Sequence, residues 1–179
     1  PTRPVPLAIT NDRHEFFVAI GINEGTRTAD GGYTKNYYGH RDRGDGNFNR
    51  GTVSGGRGNN LSTKQVDQRW MGILTDASIS FSSVLKRLGL QPGTQGYNRT
   101  MFNYLDFSVQ ATPAAVRDFV AKLNRVKSQN WTVEALAKAR ADSFYLPDGT
   151  LATSFPDYQT LFRDQRSRAG TFDYKKRFG

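Results

Sequence analysis

The sequence predicts an α+β fold in which a buried N-terminal helix precedes a small β-hairpin region and a mainly helical lobe. An almost wholly apolar run over residues 16–22 stops just before Gly25, which is typical of a buried helix and its C-terminal breaker. Residues 25–60 are crowded with Gly, Asn, Asp, Arg and Tyr, a composition that favours short strands and tight turns. From residue 61 onward, apolar residues recur at helical spacing between capping and breaking residues.

The N-terminal segment, residues 1–11, is predicted to be an extended lead-in to the first helix. Its prolines disfavour helix both at their own positions and at the preceding ones. We expect the first helix to begin near Asn11 or Asp12, because either side chain can act as N-cap. Gly25 should end this helix.

About six helices are predicted in the lobe that covers residues 61–179. A capping box between Ser62 and Gln65 opens the first, and a second covers about 76–88 before Gly89. The expected starts of the others are Asn98, Thr112-Pro113, Thr132, and Ser154 or Pro156. The whole chain, residues 1–179, is predicted to form a single domain without internal repeats.

The charge of the chain predicts an anionic partner. Its 179 residues include 25 Lys and Arg against 16 Asp and Glu, which gives a net charge of +9 and a pI of about 10.0. Nucleic acid, anionic lipid and acidic cell-wall polymers all suit such a surface. No apolar run approaches the ~20 residues of a spanning helix, so no membrane span is expected.

Neither a metal nor a cofactor is predicted. Cysteine is absent, which excludes a disulfide framework, a thiolate metal site and a Cys nucleophile. The only histidines are His14 and His40, so a zinc site built on several imidazoles is not expected. The Asp- and Asn-rich segment 42–49 does not fit a calcium loop, because Arg50 stands where that loop needs Gly.

Glu24 is the residue whose position most strongly indicates chemistry. It ends the apolar helix just before Gly25, and only three of the 16 acidic residues are Glu. Burial and the negative end of the helix dipole both disfavour its anion, so we expect this carboxyl to hold its proton. Such a carboxylic acid is the general acid that a glycosidase needs. The alternative is a partly solvated Glu, or one paired with Arg27.

The polar tract offers several partners for Glu24. A second carboxylate or a hydroxyl there would activate water or stabilise an oxocarbenium-like transition state; the candidates are Asp30, Thr34, Asp42 and Asp45. Asp30 precedes two glycines, so ordinary turn chemistry is the alternative for this residue. His40 follows Gly39 and is either a base near Glu24 or a structural residue.

Tyrosines interleaved with cations in the same tract are typical of a groove for a polymer. Tyr33, Tyr37 and Tyr38 alternate with Lys and Arg over residues 33–50. Aromatic rings stack on sugar faces as well as on bases, so a glycan and a single-stranded nucleic acid both fit. Since no nucleic-acid-binding motif is present, nucleic acid is not the expected partner.

Taken together, these residues resemble the phage-type lysozyme family. In that family the catalytic Glu ends the first helix and precedes a Gly, and an Asp and a Thr come from the hairpin before a Gly-His pair. The matching order here is Glu24-Gly25, Asp30, Thr34 and Gly39-His40. The stretch 168–174 is similar to the ending of some members. The N-terminal part is also similar to the lambda-type phage endolysins, which are lytic transglycosylases with one essential Glu.

The resemblance implies a lysozyme-like fold that cleaves the glycan strands of peptidoglycan, with Glu24, Asp30 and Thr34 as catalytic residues. The expected substrate-binding residues are Tyr33, Tyr38, His40, Asp42 and Asp45. Three activities stay open: a muramidase, a transglycosylase that uses Glu24 alone, and a non-enzymatic wall-binding or phage structural module. A monomer located in the cell envelope, outside the cell or in a virion is expected.

Overall fold

The computed structural model describes residues 3–41, 48–54, 60–145 and 148–178, with side chains described up to residue 173. Within these ranges the chain forms seven α-helices, one 3₁₀ helix and one two-stranded sheet. The helices are α1 (Glu15–Glu24), α2 (Thr63–Arg87), α3 (Gln95–Gln110), α4 (Pro113–Ala121), α5 (Leu123–Ser128), α6 (Val133–Asp142) and α7 (Tyr158–Phe178). A mostly helical chain with one small sheet confirms the predicted α+β class.

The described residues divide into two compact units. The helical unit contains the residues up to Val5 and Phe81–Gly170, and the N-terminal unit contains Pro6–Ser80 and the described residues from Thr171 onward. The core of the N-terminal unit is formed chiefly by α1, and that of the helical unit by α3 and α6.

The polar tract between α1 and α2 holds a small sheet, as predicted. Strands β1 (His40–Arg41) and β2 (Phe48–Asn49) pair antiparallel, with His40 opposite Asn49. Between α1 and β1, however, Lys35–Tyr38 forms a 3₁₀ helix where only strands and turns were expected. The sequence pattern could not distinguish a 3₁₀ helix from a strand here, because a buried Tyr37 beside an exposed side chain also fits the alternation of a strand.

Helix α1 is buried on nearly all sides and ends at Gly25 (φ 77°), as predicted. Its predicted start near Asn11 or Asp12 is wrong, because the helix begins at Glu15 with His14 as N-cap. The His14 Nδ1 atom accepts the amide of Phe16 at 3.2 Å, and Nε2 lies 2.7 Å from the carbonyl of Pro6. A neutral imidazole therefore supplies the acceptor that a Ser, Thr, Asp or Asn usually provides.

Helix α2 is continuous, so the predicted boundary between two helices near residue 76 is wrong. The capping box is confirmed: the Ser62 amide donates to Gln65 Oε1 at 2.9 Å, and the Gln65 amide donates to Ser62 Oγ at 3.1 Å. Close to the expected boundary, a polar side chain of α2 bonds the extended lead-in. Thr75 Oγ1 accepts the amide of Ile9 at 2.8 Å, so its hydroxyl serves tertiary structure and leaves the helix unbroken.

In the helical unit, local caps were predicted well and buried polar residues were not. Thr112 and Thr132 cap α4 and α6 as expected. Asn98 does not start α3; Thr94 does, while the buried Asn98 donates to the carbonyl of Arg3 at 3.0 Å. The start of α7 at Tyr158, rather than at Ser154 or Pro156, is a second correction: Asp157 accepts the amide of Thr160 at 2.7 Å and so caps the helix.

A fully buried arginine joins α3, α6 and α7 within the helical unit. Arg140 donates to Asp106 Oδ2 at 2.6 Å, to Asn103 Oδ1 at 2.8 Å and to Gln165 Oε1 at 2.8 Å. Arg168 donates to the same carboxylate at 3.0 Å. Because these partners satisfy the buried charges, the cluster is stable as a set, and removal of one member would leave unpaired charge.

A second buried arginine organises the N-terminal unit. Arg27 is 3% exposed, and its guanidinium donates to the carbonyls of Gly31 at 2.7 Å, Gly32 at 3.1 Å and Asp12 at 2.8 Å, and to Thr52 Oγ1 at 3.1 Å. These bonds fix the tight turn that follows α1 and the segment that precedes it. The arginine is therefore the centre of this unit's polar structure.

Gly21 in α1 makes room for this arginine. A Cβ atom at Gly21 would lie 2.1 Å from Arg27 Cγ and 2.9 Å from Thr52 Cγ2. Both neighbours are held by the hydrogen bonds of the guanidinium, so neither can withdraw cheaply. The close approach of the Arg27 stem to the α1 backbone requires glycine at this position.

We expect Gly21→Ala to lower the free energy of unfolding by about 1–3 kcal/mol or more, because the added methyl group displaces Arg27. Gly72→Ala is the matched control, since Gly72 lies in the exposed interior of α2 with no heavy atom within 4 Å of its added Cβ. That variant should gain about 0.5–1 kcal/mol. Urea unfolding of both measures the difference, and equal stabilities would contradict the close packing at Gly21.

We expect His14 to make stability depend on pH. Burial lowers the pKa of His14 from its ordinary value of about 6.5. Below pH 6.5 His14 becomes protonated in the unfolded chain, whereas in the folded chain it stays neutral until the pH reaches its lowered pKa. The stability that the neutral ring contributes above pH 6.5 is therefore lost progressively as the pH falls from 6.5 to the lowered pKa. His14→Asn keeps a capping group that does not titrate. As pH falls, the free energy of unfolding of wild type, measured with urea, should therefore decrease relative to that of His14→Asn. A difference that does not change with pH would contradict this role.

Candidate functional site

Glu24 is half-buried at the last position of α1, between two tethered neighbours. On one side, the Thr171 hydroxyl donates to Asn23 Oδ1 at 2.6 Å. On the other, the Thr34 hydroxyl donates to the carbonyl of Gly25 at 2.6 Å. Two separate parts of the chain therefore hold the backbone around this carboxyl, and an apolar helix leads into it.

The ion pair between Glu24 and Arg27, which the sequence left as an alternative, is not formed in the described residues. Arg27 directs its guanidinium to three backbone carbonyls and to the Thr52 hydroxyl. Its charge is thus used for the turn after α1.

Asp30 is exposed, and its carboxylate is engaged in its own turn. Oδ1 accepts the hydroxyl of Thr28 and the amide of Gly32, the latter at 3.0 Å. These hydrogen bonds hold the pKa of Asp30 below its ordinary range, so the group is an anion at neutral pH. These contacts are those of an ordinary turn, which was the alternative to a catalytic role for Asp30.

Thr34 is the candidate partner that the structure brings next to Glu24-Gly25. Besides the bond from its hydroxyl to Gly25, its amide donates to the carbonyl of Thr26 at 2.9 Å. The hydroxyl oxygen is still able to accept a hydrogen bond, for example from a water molecule.

The remaining candidates of the polar tract are His40, Asp42 and Asp45. His40 is half-buried, with Nε2 3.3 Å from Ser54 Oγ and Nδ1 without a hydrogen-bond partner among the described residues. Among the described residues, the side chain of His40 therefore contacts Ser54 and not Glu24. Asp42 and Asp45 lie outside the described residues.

Tyr33 and Tyr38 line a pocket of about 550 Å³ in the N-terminal unit. Both side chains are exposed, and together with the buried Tyr37 they form an aromatic cluster with ring centroids 4.2–6.3 Å apart. The remaining lining residues are Thr10, Asn11, Asp12, Lys64, Asp67, Gln68 and Met71. Glu24 is not among the described residues that line this pocket.

Asp67 is a buried carboxylate that the sequence interpretation missed. It accepts the amide and hydroxyl of Thr52 at 2.7 and 2.9 Å and the hydroxyl of Tyr37 at 3.2 Å. Burial is the largest influence on this group and raises the pKa of Asp67. The sequence does carry a signal for it: Asp67 lies seven residues, or about two helical turns, before Leu74, so it falls on the apolar stripe of α2.

No group of three or more His, Asp or Glu side chains in the described ranges is arranged to hold a metal ion. Among those same ranges, no helix combines the length and apolar character needed to cross a membrane.

The arrangement as a whole consists of a carboxyl at the end of a buried helix, a neighbouring hydroxyl, a turn-bound aspartate and a separate aromatic pocket. Comparison of the chain with family models, with curated proteins and with solved structures gives no match.

Proposed function

We propose that the protein has a lysozyme-like fold and cleaves the glycan strands of peptidoglycan, with Glu24 as general acid. The observation that carries this proposal is the position of Glu24 at the end of a buried apolar helix, between Asn23 and Gly25, which are tethered by Thr171 and Thr34. A carboxyl held there is poised to donate a proton to a bound substrate. The net charge of +9 suits an anionic wall polymer, and hence a place in the cell envelope, outside the cell or in a virion.

In the hydrolytic route, the Glu24 proton passes to the glycosidic oxygen as the bond from that oxygen to the anomeric carbon breaks. Positive charge develops on the sugar ring, and the oxygen of a water molecule adds to the anomeric carbon. The proton of that water returns to the Glu24 carboxylate, which restores the acid. Thr34 is placed to orient the water through its hydroxyl oxygen, and Asp30 contributes negative charge from its turn.

The second candidate is a lytic transglycosylase, and the engagement of Asp30 favours it. Oδ1 of Asp30 accepts two hydrogen bonds that tie the carboxylate to its own turn, whereas the chain on both sides of Glu24 is tethered at the helix end. In this route the sugar's own hydroxyl attacks the anomeric carbon and gives its proton to the Glu24 carboxylate. The product then carries an anhydro end.

We expect Glu24→Gln to lower the rate of wall lysis by about 10²–10⁴-fold or more, because Gln keeps the shape of Glu but has no acidic proton. Glu134→Gln is the matched control. Glu134 is 58% exposed and pairs with Arg166, and a surface ion pair contributes only about 0–1 kcal/mol. Turbidity of purified walls measures the rates.

A Glu24→Gln variant with wild-type turnover would refute Glu24 as the acid. Wall binding without any cleavage by wild type would instead identify a non-enzymatic wall-binding or structural module. Circular dichroism should show that both Gln variants fold.

Mass spectrometry of the released glycans should separate the two routes. Hydrolysis gives reducing ends, and Thr34→Val should then lose activity because it cannot bind the water. Transglycosylation gives anhydro ends, and Asp30→Asn should then keep most of the activity; Thr34→Val also loses its bond to Gly25, so its activity can fall in either route. Reducing ends together with full activity of both variants would contradict the assigned roles of Thr34 and Asp30.

A further inference from the structure

The pocket beside Tyr38 is built on a rigid floor. Tyr37 is buried, and its hydroxyl donates to Asp67 at 3.2 Å; burial against this carboxylate raises the pKa of Tyr37 far above its ordinary range. Tyr33 is held in turn, because its hydroxyl donates to Asp12 and Arg27 lies 4.5 Å from its ring centroid. The pocket walls are therefore fixed before any ligand binds.

Tyr38 provides the free aromatic surface of this pocket. It is 65% exposed, whereas Tyr33 has Arg27 and Tyr37 packed against its ring. The Tyr38 ring stands perpendicular to that of Tyr37, with centroids 5.2 Å apart. An exposed ring next to a pocket is the surface on which the apolar face of a sugar or a base stacks.

The polar rim of the pocket favours a sugar over the other ligands that stack on tyrosine. Asp12 Oδ1, the Lys64 ammonium and the Gln68 amide have no hydrogen-bond or ion-pair partner among the described residues. This mixture of acceptors and donors suits hydroxyl and acetamido groups. The carboxylates of Asp12 and Asp67 would repel the phosphates of a nucleic acid.

Among the described residues, Glu24 does not line the pocket. The Asp12 side of the pocket lies at the opposite end of α1, whereas Tyr33 in the wall adjoins Thr34, which bonds Gly25. Asp12 precedes the first residue of α1, whereas Glu24 is the last, and a helix of ten residues is about 15 Å long. The pocket volume of about 550 Å³ lies within the usual range for small-ligand sites, about 300–1,000 Å³.

We infer that the pocket formed by Asp12, Tyr38, Lys64 and Gln68 is a second glycan-binding site, which takes an N-acetylated amino-sugar oligosaccharide. Met71 and Tyr37 supply the apolar surface for an acetyl methyl group. The choice of an amino sugar rests on the proposed function, whereas the pocket itself does not depend on cleavage. Such a site would hold a glycan strand while another part of it is cut.

The test is isothermal titration with the β-1,4-linked tetrasaccharide of N-acetylglucosamine, using Glu24→Gln so that the sugar is not cut. Tyr38→Ala should weaken binding by about tenfold, because it removes the stacking surface. Gln68→Ala should also weaken it and is not expected to disturb folding, because this side chain is exposed and has no hydrogen bond among the described residues. Tyr145→Ala is the matched control: Tyr145 is 40% exposed and lies in the helical unit, so its loss should leave the affinity unchanged.

Amide chemical shifts should locate the bound tetrasaccharide at residues 10–12, 33, 37–38 and 64–71. Absence of binding, or unchanged affinity of Tyr38→Ala and Gln68→Ala, would overturn the inference. Shifts confined to residues 23–28 would also overturn it, while leaving the proposed function in place. Conversely, if the tetrasaccharide binds in the pocket but the wild-type protein does not cleave walls, the proposed function is refuted and the inferred glycan-binding site still stands.

Discussion

The structure around both candidate sites depends on the buried guanidinium of Arg27. Burial of a cation is costly unless its donors are satisfied, and here three carbonyls and the Thr52 hydroxyl satisfy them. The same bonds tie the turn after α1 to Asp12. They thereby set where Thr34 meets Gly25, and they hold Tyr33 beside Asp12 at the pocket. One side chain thus couples the surroundings of Glu24 to the aromatic cluster.

The charge of Arg27 is balanced at a distance by Asp67. Thr52 lies between them, since it accepts from the guanidinium and donates its hydroxyl and amide to the carboxylate. Burial raises the pKa of Asp67, while the hydrogen bonds from Thr52 and Tyr37 and the charge of Arg27 oppose that rise. Replacement of either charged residue alone would leave its partner with hydrogen bonds but without the opposite charge, so the two are coupled through Thr52.

Features decided by nearby residues could be predicted from the sequence, and features decided by tertiary contacts could not. The capping box at Ser62 and the cap at Thr112 depend on amides within three residues, and both are confirmed. His14 was missed because its capping role requires a neutral ring held by the carbonyl of Pro6. Asp67 was missed because its partners come from distant parts of the chain. For the candidate site, the sequence could single out Glu24 at the helix end but not the Thr171 tether.

The position of Asp30 bears on the chemistry that Glu24 can perform. The Oδ1 atom of this carboxylate is bonded to Thr28 and Gly32 in the turn that Arg27 also stabilises, so the turn fixes where the group lies. As an anion it still acts through space, and such an effect weakens with distance and with solvent exposure. A hydroxyl such as that of Thr34 orients water but carries no charge. Under the proposed function, proton transfer therefore falls to Glu24, and the choice between water and the sugar's own hydroxyl as the attacking group rests on which of them reaches the anomeric carbon first.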